Sequence, residues 1–223
     1  MLITISNVLD DGHRALLDGL ISELTWADGA QTAGSIAKQV KRNKQADLTS
    51  KTGIKVDAVL RRAVQTNPVL RAAAQPRTLS QLLISKTEAG GFYGRHVDNA
   101  FMKKDHDTFR SDLSFTLFLS DPTSYQGGEL VIEHAGMTQS VKGAAGDLVL
   151  YPSGSLHQVS PVTSGERVVC VGWIESQIKD ASDRETLFDL INTKSSLADV
   201  LDAQSLEMLT LSKVIANLLR RFS

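Results

Sequence analysis

His96-Val97-Asp98 is the one His-x-Asp triplet in a chain with five histidines. In extended backbone, positions 96 and 98 project from the same face, so the triplet would set an imidazole beside a carboxylate with Val97 turned away. These are two of the three groups of a 2-His-1-carboxylate triad. Such a triad holds one face of an octahedral metal and leaves three positions open, the arrangement of non-haem Fe(II) sites. A lone triplet arises by chance often enough that its surroundings must carry the argument.

The third donor is expected from a strand distant in sequence. His157, in Ser155-Leu156-His157-Gln158-Val159 after the apolar run at 148–151, is the best placed. His106 lies in the charged stretch 103–107 and His134 stands at a strand end before a turn, positions where solvated histidines are the common case. His13, beside Asp10 and Asp11, reads as a capping or surface residue.

Arg167 follows His157 by ten residues, across a segment that reads as a hairpin connection. With the turn centred near Thr163, Val159 would sit opposite Arg167 on the face that His157 occupies, and arginine and metal would share one cavity. An inward guanidinium needs an anion to satisfy it, and its planar fork suits a carboxylate held through both oxygens. Cys170, flanked by Val169 and Val171, reads as an inert core thiol. Gly90-Gly91 and Gly127-Gly128 lack the following helix and Lys-Ser/Thr pair of a phosphate cradle, and read as turns.

Positioning these groups requires a scaffold of strands. From residue 79 to 173 the chain alternates short β-rich runs with glycine and proline turns, and strands are expected at 79–85, 112–120, 129–133, 146–151, 157–161 and 167–174. Strands so short and so closely spaced argue for a sandwich or barrel. Before them come an alternating apolar stretch at 2–9, a helix over 16–24 ended by Trp26-Ala27-Asp28-Gly29, a polar loop or solvated ribbon at 32–44, and helical spacing over 54–75, with Pro68 opening a further short helix. After them, Ser182-x-x-Glu185 has capping-box spacing, and Leu206, Leu209, Val214, Leu218 and Leu219 form an apolar stripe. That stripe is expected to pack on the barrel or on a second copy of the chain, and a homodimer is the second of these readings.

At 223 residues, 42% hydrophobic and 22% charged, the chain is long enough to bury a sizeable core without disulfides, and its single cysteine allows none within the chain. A net charge of -1 gives no electrostatic reason to expect nucleic acid or an anionic membrane as partner. No apolar run approaches a membrane span, and Met1-Leu2-Ile3-Thr4-Ile5 lacks the basic start of a signal peptide, so a cytoplasmic location is expected.

Five segments together resemble one family: His96-Val97-Asp98-Asn99-Ala100, the run from Asp112 to Ser120, Gly127-Gly128-Glu129-Leu130-Val131-Ile132, the run from Gly146 to Ser153, and Leu156-His157. The family is the bacterial PKHD-type hydroxylases, Fe(II)- and 2-oxoglutarate-dependent dioxygenases related to the prolyl 4-hydroxylases. Trp26-x-Asp28-Gly29, Thr32-Ala33-Gly34, Trp173-Ile174-x-Ser176 and Asn217-Leu218-Leu219-Arg220-Arg221 extend the likeness over the whole chain. The resemblance implies a mainly β fold, a double-stranded β-helix (jelly roll) core with N- and C-terminal α-helices. Its expected parts are supporting elements at 1–77, the dioxygenase barrel at 78–177 and helices at 178–223.

The resemblance further implies one Fe(II) per subunit on His96, Asp98 and His157, and 2-oxoglutarate with its distal carboxylate on Arg167. O2 would be the second cosubstrate, and L-ascorbate would keep the iron ferrous. The product of such chemistry is a hydroxylated C–H bond, with succinate and CO2 released, on a peptidyl side chain such as proline or on a small molecule linked to iron uptake. Many relatives carry a tyrosine where this chain has Thr87, and oxygen-sensing animal prolyl hydroxylases have one where it has Phe118. Ser114 and Thr116, on the same strand face as Phe118, are the candidates to supply hydroxyls to the cosubstrate instead. Two other readings use the same donors: a cupin-like metalloenzyme without a 2-oxo acid, which leaves Arg167 without a partner, and a non-catalytic iron-sensing or interaction barrel.

Overall fold

The computed structural model describes residues 1–29, 40–104, 107–134 and 136–223, with only the backbone described at Lys104 and His134. The expectations for His106 and for Thr32-Ala33-Gly34 lie outside the described residues. In chain order, β1 (Ile3–Ile5) and α1 (Asp11–Ser22) precede the short strands β2 (Trp26–Asp28), β3 (Lys41–Arg42) and β4 (Lys44–Ala46). Helices α2 (Lys51–Thr66) and α3 (Pro68–Ala74) come next. Then follow β5 (Pro76–Leu79), β6 (Leu83–Glu88), β7 (Phe92–His96), β8 (Phe101–Lys104), β9 (Asp107–Arg110), β10 (Leu113–Phe118), β11 (Tyr125–Gly127) and β12 (Leu130–His134). Next come β13 (Met137–Val141), β14 (Leu148–Pro152), β15 (Leu156–Val159), β16 (Val162–Ser176), α4 (Ala181–Leu197) and α5 (Leu206–Phe222).

Local chemistry sets the helix ends. Asp10, not His13, caps α1 by accepting from the His13 backbone N–H, and its carboxylate also meets the partly exposed His13 ring at Nδ1, 2.7 Å away. Asn67 ends α2 and caps α3, with Pro68 at the first helical position, where its missing N–H is harmless. The cap of α4 is Asp180, which accepts from the Ser182 and Asp183 N–H groups, so the capping box expected at Ser182 is replaced by a carboxylate two residues earlier. Between α4 and α5, Ile178, Leu187 and Ile215 form a separate apolar cluster joined by Leu218 and Leu219. The C-terminal stripe therefore packs partly on α4, while Leu206, Leu209 and Val214 stay exposed. No helix among the described residues is long and apolar enough to cross a membrane.

The strands form a jelly roll. A major sheet in the order β1-β14-β10-β16-β6-β4-β2, with β5 and β11 also on β16, stands against a minor sheet in the order β13-β12-β15-β7-β3. Every residue of β10 is buried, and alternation divides them. Leu113, Phe115 and Leu117 join Leu148, Leu150 and Cys170 against Leu17, Leu60 and Leu70 of the N-terminal helices. Ser114, Thr116 and Phe118 point the other way, into the barrel, where Phe118 meets Val149, Tyr151 and Val169 of the major sheet and Leu130 and Ile132 of the minor one. Cys170 has no exposure, and burial pushes its thiol pKa up, as an inert core thiol requires.

Three expectations change. Trp26-Ala27-Asp28 does not end a helix but pairs with β4, its indole half-buried on the helical core under the Lys86 ammonium. The described end of the polar segment contributes β3 and β4, while the run expected at 79–85 divides into β5 and β6 because Ser80 turns aside to bond Trp173 through its backbone and its hydroxyl. Finally, β15 and β16 do not form a hairpin. β15 lies between β12 and β7 in the minor sheet and β16 between β10 and β6 in the major one, with the chain crossing at Pro161 and Val162, whose backbone groups bond Gly128, Gly90 and Gly91.

Gly172 lies opposite Phe115, and a Cβ there would sit 2.6 Å from the Phe115 ring. Gly172→Ala should therefore destabilise the protein by about 1–3 kcal/mol through overpacking. Urea unfolding checks this, and an unchanged midpoint would show that the ring can shift freely.

Candidate metal centre

Antiparallel pairing of β7 with β15 sets His96 directly opposite His157. Their rings lie 4.2 Å apart at 51°. Asp98 stands two residues past the end of β7, outside the strand in which it was expected, yet its Oδ2 lies 3.7 Å from His157 Nε2. One ligand atom from each of the three residues falls within 4.8 Å of the others.

Both imidazoles are oriented by backbone carbonyls. His96 Nδ1 is 2.8 Å from Gly94 O, and His157 Nδ1 is 3.0 Å from Ser155 O. A carbonyl only accepts, so each Nδ1 must carry the proton, which leaves each Nε2 lone pair available. Asp98 Oδ2 accepts from Ser114 Oγ at 2.6 Å, and the Ser153 hydroxyl lies 2.8 Å from Ser114 Oγ. Tyr93 stacks on His96 at 3.6 Å with Lys41 over its ring, while Tyr151 meets His157 edge-on at 5.2 Å. Burial, and then the neighbouring His157 ring, holds the pKa of His96 well below the ordinary histidine value. Burial, with the Asp98 carboxylate close by, raises both tyrosine pKa values, so the phenols stay neutral.

Arg167 reaches the barrel interior from the major sheet, on the same face of β16 as Val169. It is 2% exposed, its guanidinium lies 5.7 Å from the Phe118 ring, and its Nε and Nη2 have no hydrogen-bond partner among the described residues. Tyr151 joins this end to the histidines, since its phenol feels the charges of both Asp98 and Arg167.

Two neutral imidazole nitrogens and one carboxylate oxygen form a mixed donor set that suits Fe(II) and lowers the charge of the centre to about +1. The unpartnered Arg167 nitrogens demand an acceptor, which a dicarboxylic 2-oxo acid supplies. The residues present fit both groups.

Residues 81–175 match the family model of the 2OG-Fe(II) oxygenase superfamily. Over 222 residues, covering 100% of this chain and 99% of the other, the sequence is 51% identical to a PKHD-type hydroxylase of Hyphomonas neptunium. The chain belongs to the PKHD-type hydroxylases. A PKHD-type hydroxylase of Synechococcus elongatus is 45% identical over the full length of both chains. The crystal structure of a Pseudomonas putida prolyl-4-hydroxylase shares the fold, with a TM-score of 0.51 over 78% of this chain and 92% of that one at 24% identity. The chain is thus an Fe(II)- and 2-oxoglutarate-dependent dioxygenase with a jelly-roll fold.

Ser114 and Thr116, expected to supply hydroxyls to the cosubstrate, both face the barrel interior. Ser114 donates to Asp98, and Thr116 lies close enough to the Tyr151 phenol to act on it. Sequence reasoning missed Tyr93, Tyr151 and Ser153. Tyr151 could have been found, because alternation along β14 puts it on the inner face with Val149.

The Ser114 hydroxyl orients a carboxylate that belongs to the candidate centre, so Ser114→Ala should weaken metal binding about 10–100-fold. Anaerobic calorimetric titration with Fe(II) measures it, and wild-type affinity would show that Asp98 is held without this bond. In the metal-free protein the unfolded chain binds a proton on His96 at about pH 6.5, and the folded chain only at lower pH. The neutral ring therefore contributes stability above about pH 6.5 that is lost as the pH falls toward the folded value. The unfolding temperature of chelator-treated protein should drop on this acid side, and drop less in His96→Gln. Equal drops would assign the effect to other groups.

Proposed function

We propose that His96, Asp98 and His157 hold the iron and that Arg167 holds the distal carboxylate of 2-oxoglutarate. The observation that carries this reading is the buried guanidinium with two nitrogens unpartnered, in the same barrel as three converging donors. The chemistry that Fe(II) and 2-oxoglutarate supply when bound is oxidative decarboxylation to succinate and CO2, coupled to hydroxylation of an unactivated C–H bond.

The chain's own residues prepare that chemistry. Gly94 O and Ser155 O fix the two tautomers, so that no proton need leave an Nε2 before it ligates. Ser114 orients the carboxylate. Phe118, Val149 and Val169 line the interior with apolar surface that keeps water from the reacting groups. A charged fork in that dry interior selects a 2-oxo acid with a second carboxylate.

The substrate in this reading is a peptidyl side chain such as proline, or a small molecule linked to iron uptake. The setting is the cytoplasm, with ascorbate maintaining ferrous iron. A cupin-like enzyme without a 2-oxo acid would use the same three donors but give Arg167 no ligand.

The test is anaerobic titration of the Fe(II)-loaded protein with 2-oxoglutarate, following the visible metal-to-ligand charge-transfer band. The band should grow and saturate, and Arg167→Ala should shift its midpoint upward about 10- to 150-fold, for a charge-assisted contact of roughly 1.5–3 kcal/mol. Iron binding without a band would overturn the cosubstrate assignment, and an unmoved midpoint would overturn that of Arg167.

A further inference from the structure

Inside the barrel, a second donor stands open beside Arg167. Tyr125, on β11, is 1% exposed, and its hydroxyl proton has no acceptor among the described residues, since the Arg167 guanidinium that acts on the phenol oxygen is a donor only. A buried phenol usually finds one, because leaving it unpaired is costly. A phenol that accepts from a guanidinium keeps its own proton to donate, so tyrosine and arginine together describe a site for a ligand rich in lone pairs, and a carboxylate offers about four.

Strand register brings the two side chains together. Tyr125 lies opposite Gly165, two residues before Arg167 on the same face of β16, so tyrosine and arginine are diagonal cross-strand neighbours within reach of each other. The Gly127-Gly128 turn packs against both. Gly128 has φ +70°, and a Cβ there would lie 2.9 Å from Arg167 Cδ and 3.2 Å from Tyr125 Cε2. Lys142 pins the tyrosine, its Nζ donating to Tyr125 O at 2.7 Å and lying 4.2 Å from the ring centroid. Burial raises the Tyr125 pKa, so the phenol keeps its proton as a donor. Phe118, against the guanidinium, has no hydroxyl to offer.

We propose that Tyr125 donates its hydroxyl proton to the distal carboxylate of 2-oxoglutarate, and that with Arg167 it makes the site select 2-oxo acids that carry a second carboxylate. The inference rests on the assignment of Arg167 to that carboxylate.

The experiment compares two ligands on anaerobic Fe(II)-loaded protein by the charge-transfer band: 2-oxoglutarate, and 2-oxobutyrate, which chelates through the same end but has no distal carboxylate. Tyr125→Phe should raise the Kd for 2-oxoglutarate about tenfold and leave that for 2-oxobutyrate within about twofold. Without any 2-oxo acid, the variant should melt close to wild type, because the ring stays buried and the hydroxyl it loses meets only the Arg167 donor among the described residues. An unchanged Kd for 2-oxoglutarate, or equal losses for both acids, would overturn the proposal. If wild type prefers 2-oxoglutarate and Arg167→Ala erases that preference while Tyr125→Phe keeps it, Tyr125 alone is refuted. If wild type binds both acids equally, the Arg167 assignment falls with it.

Discussion

A slip of β10 by one residue against β14 and β16 would exchange Leu113, Phe115 and Leu117 with Ser114, Thr116 and Phe118. Two hydroxyls would then face the leucine core under the helices, and Asp98 would lose its donor. A period of exactly two makes any such slip total, because every side chain changes face at once. The register is held from the helical side, where large apolar residues such as Phe115 fill the space that Gly172 leaves. The helix-facing core thus fixes which groups the barrel interior receives, and the site inherits its geometry from packing on the far side of the same sheet.

The minor sheet works differently. Its contribution to the centre is the pairing of His96 with His157, and the register shifts between His157 and Val159 where β15 meets β7. Two imidazoles 4.2 Å apart cannot both be protonated cheaply, and in the neutral rings the backbone carbonyls hold the proton on Nδ1. Burial acts in the same direction on His96. The metal-free fold therefore already turns one ligand atom of each of the three residues toward a common point, so little of a cation's binding energy is spent on moving them.

The donors were legible in the sequence because they are rare types in strand contexts. One His-x-Asp triplet and one histidine after an apolar run leave few combinations. The partners were not, because each depends on pairing between distant segments. Ser114 meets Asp98 across 16 residues, and Ser153 meets Ser114 across 39. The route by which Arg167 enters the barrel also escaped sequence reasoning. A ten-residue separation with an intervening glycine reads locally as a hairpin, and nothing local reveals that Val162 bonds Gly90 and Gly91 and leads the chain into the other sheet. Helix ends were less legible: α1 begins five residues before its first periodic leucine, and Asp180 takes the N–H groups expected of Ser182, since several adjacent polar side chains compete for them.

The two ends of the interior differ in their access to solvent, and this difference orders the chemistry. His96 is partly exposed, Val97 beside it is exposed, and Phe101 just beyond Asp98 is exposed as well, whereas Arg167 and Tyr125 have almost no contact with solvent. A ligand carboxylate at Arg167 is therefore desolvated completely, and one held there gains from a low local dielectric. A substrate approaching from the His96 side meets apolar surface next to the donors. In the proposed reading, the deep end binds an invariant cosubstrate through charge and hydrogen bonds, while the open end admits the variable partner through surface that can diversify without disturbing the barrel. In that reading the ligand's carboxylate also offsets the cost of burying the Arg167 charge, which the neighbouring Tyr125, Tyr151 and Glu129 offset only in part.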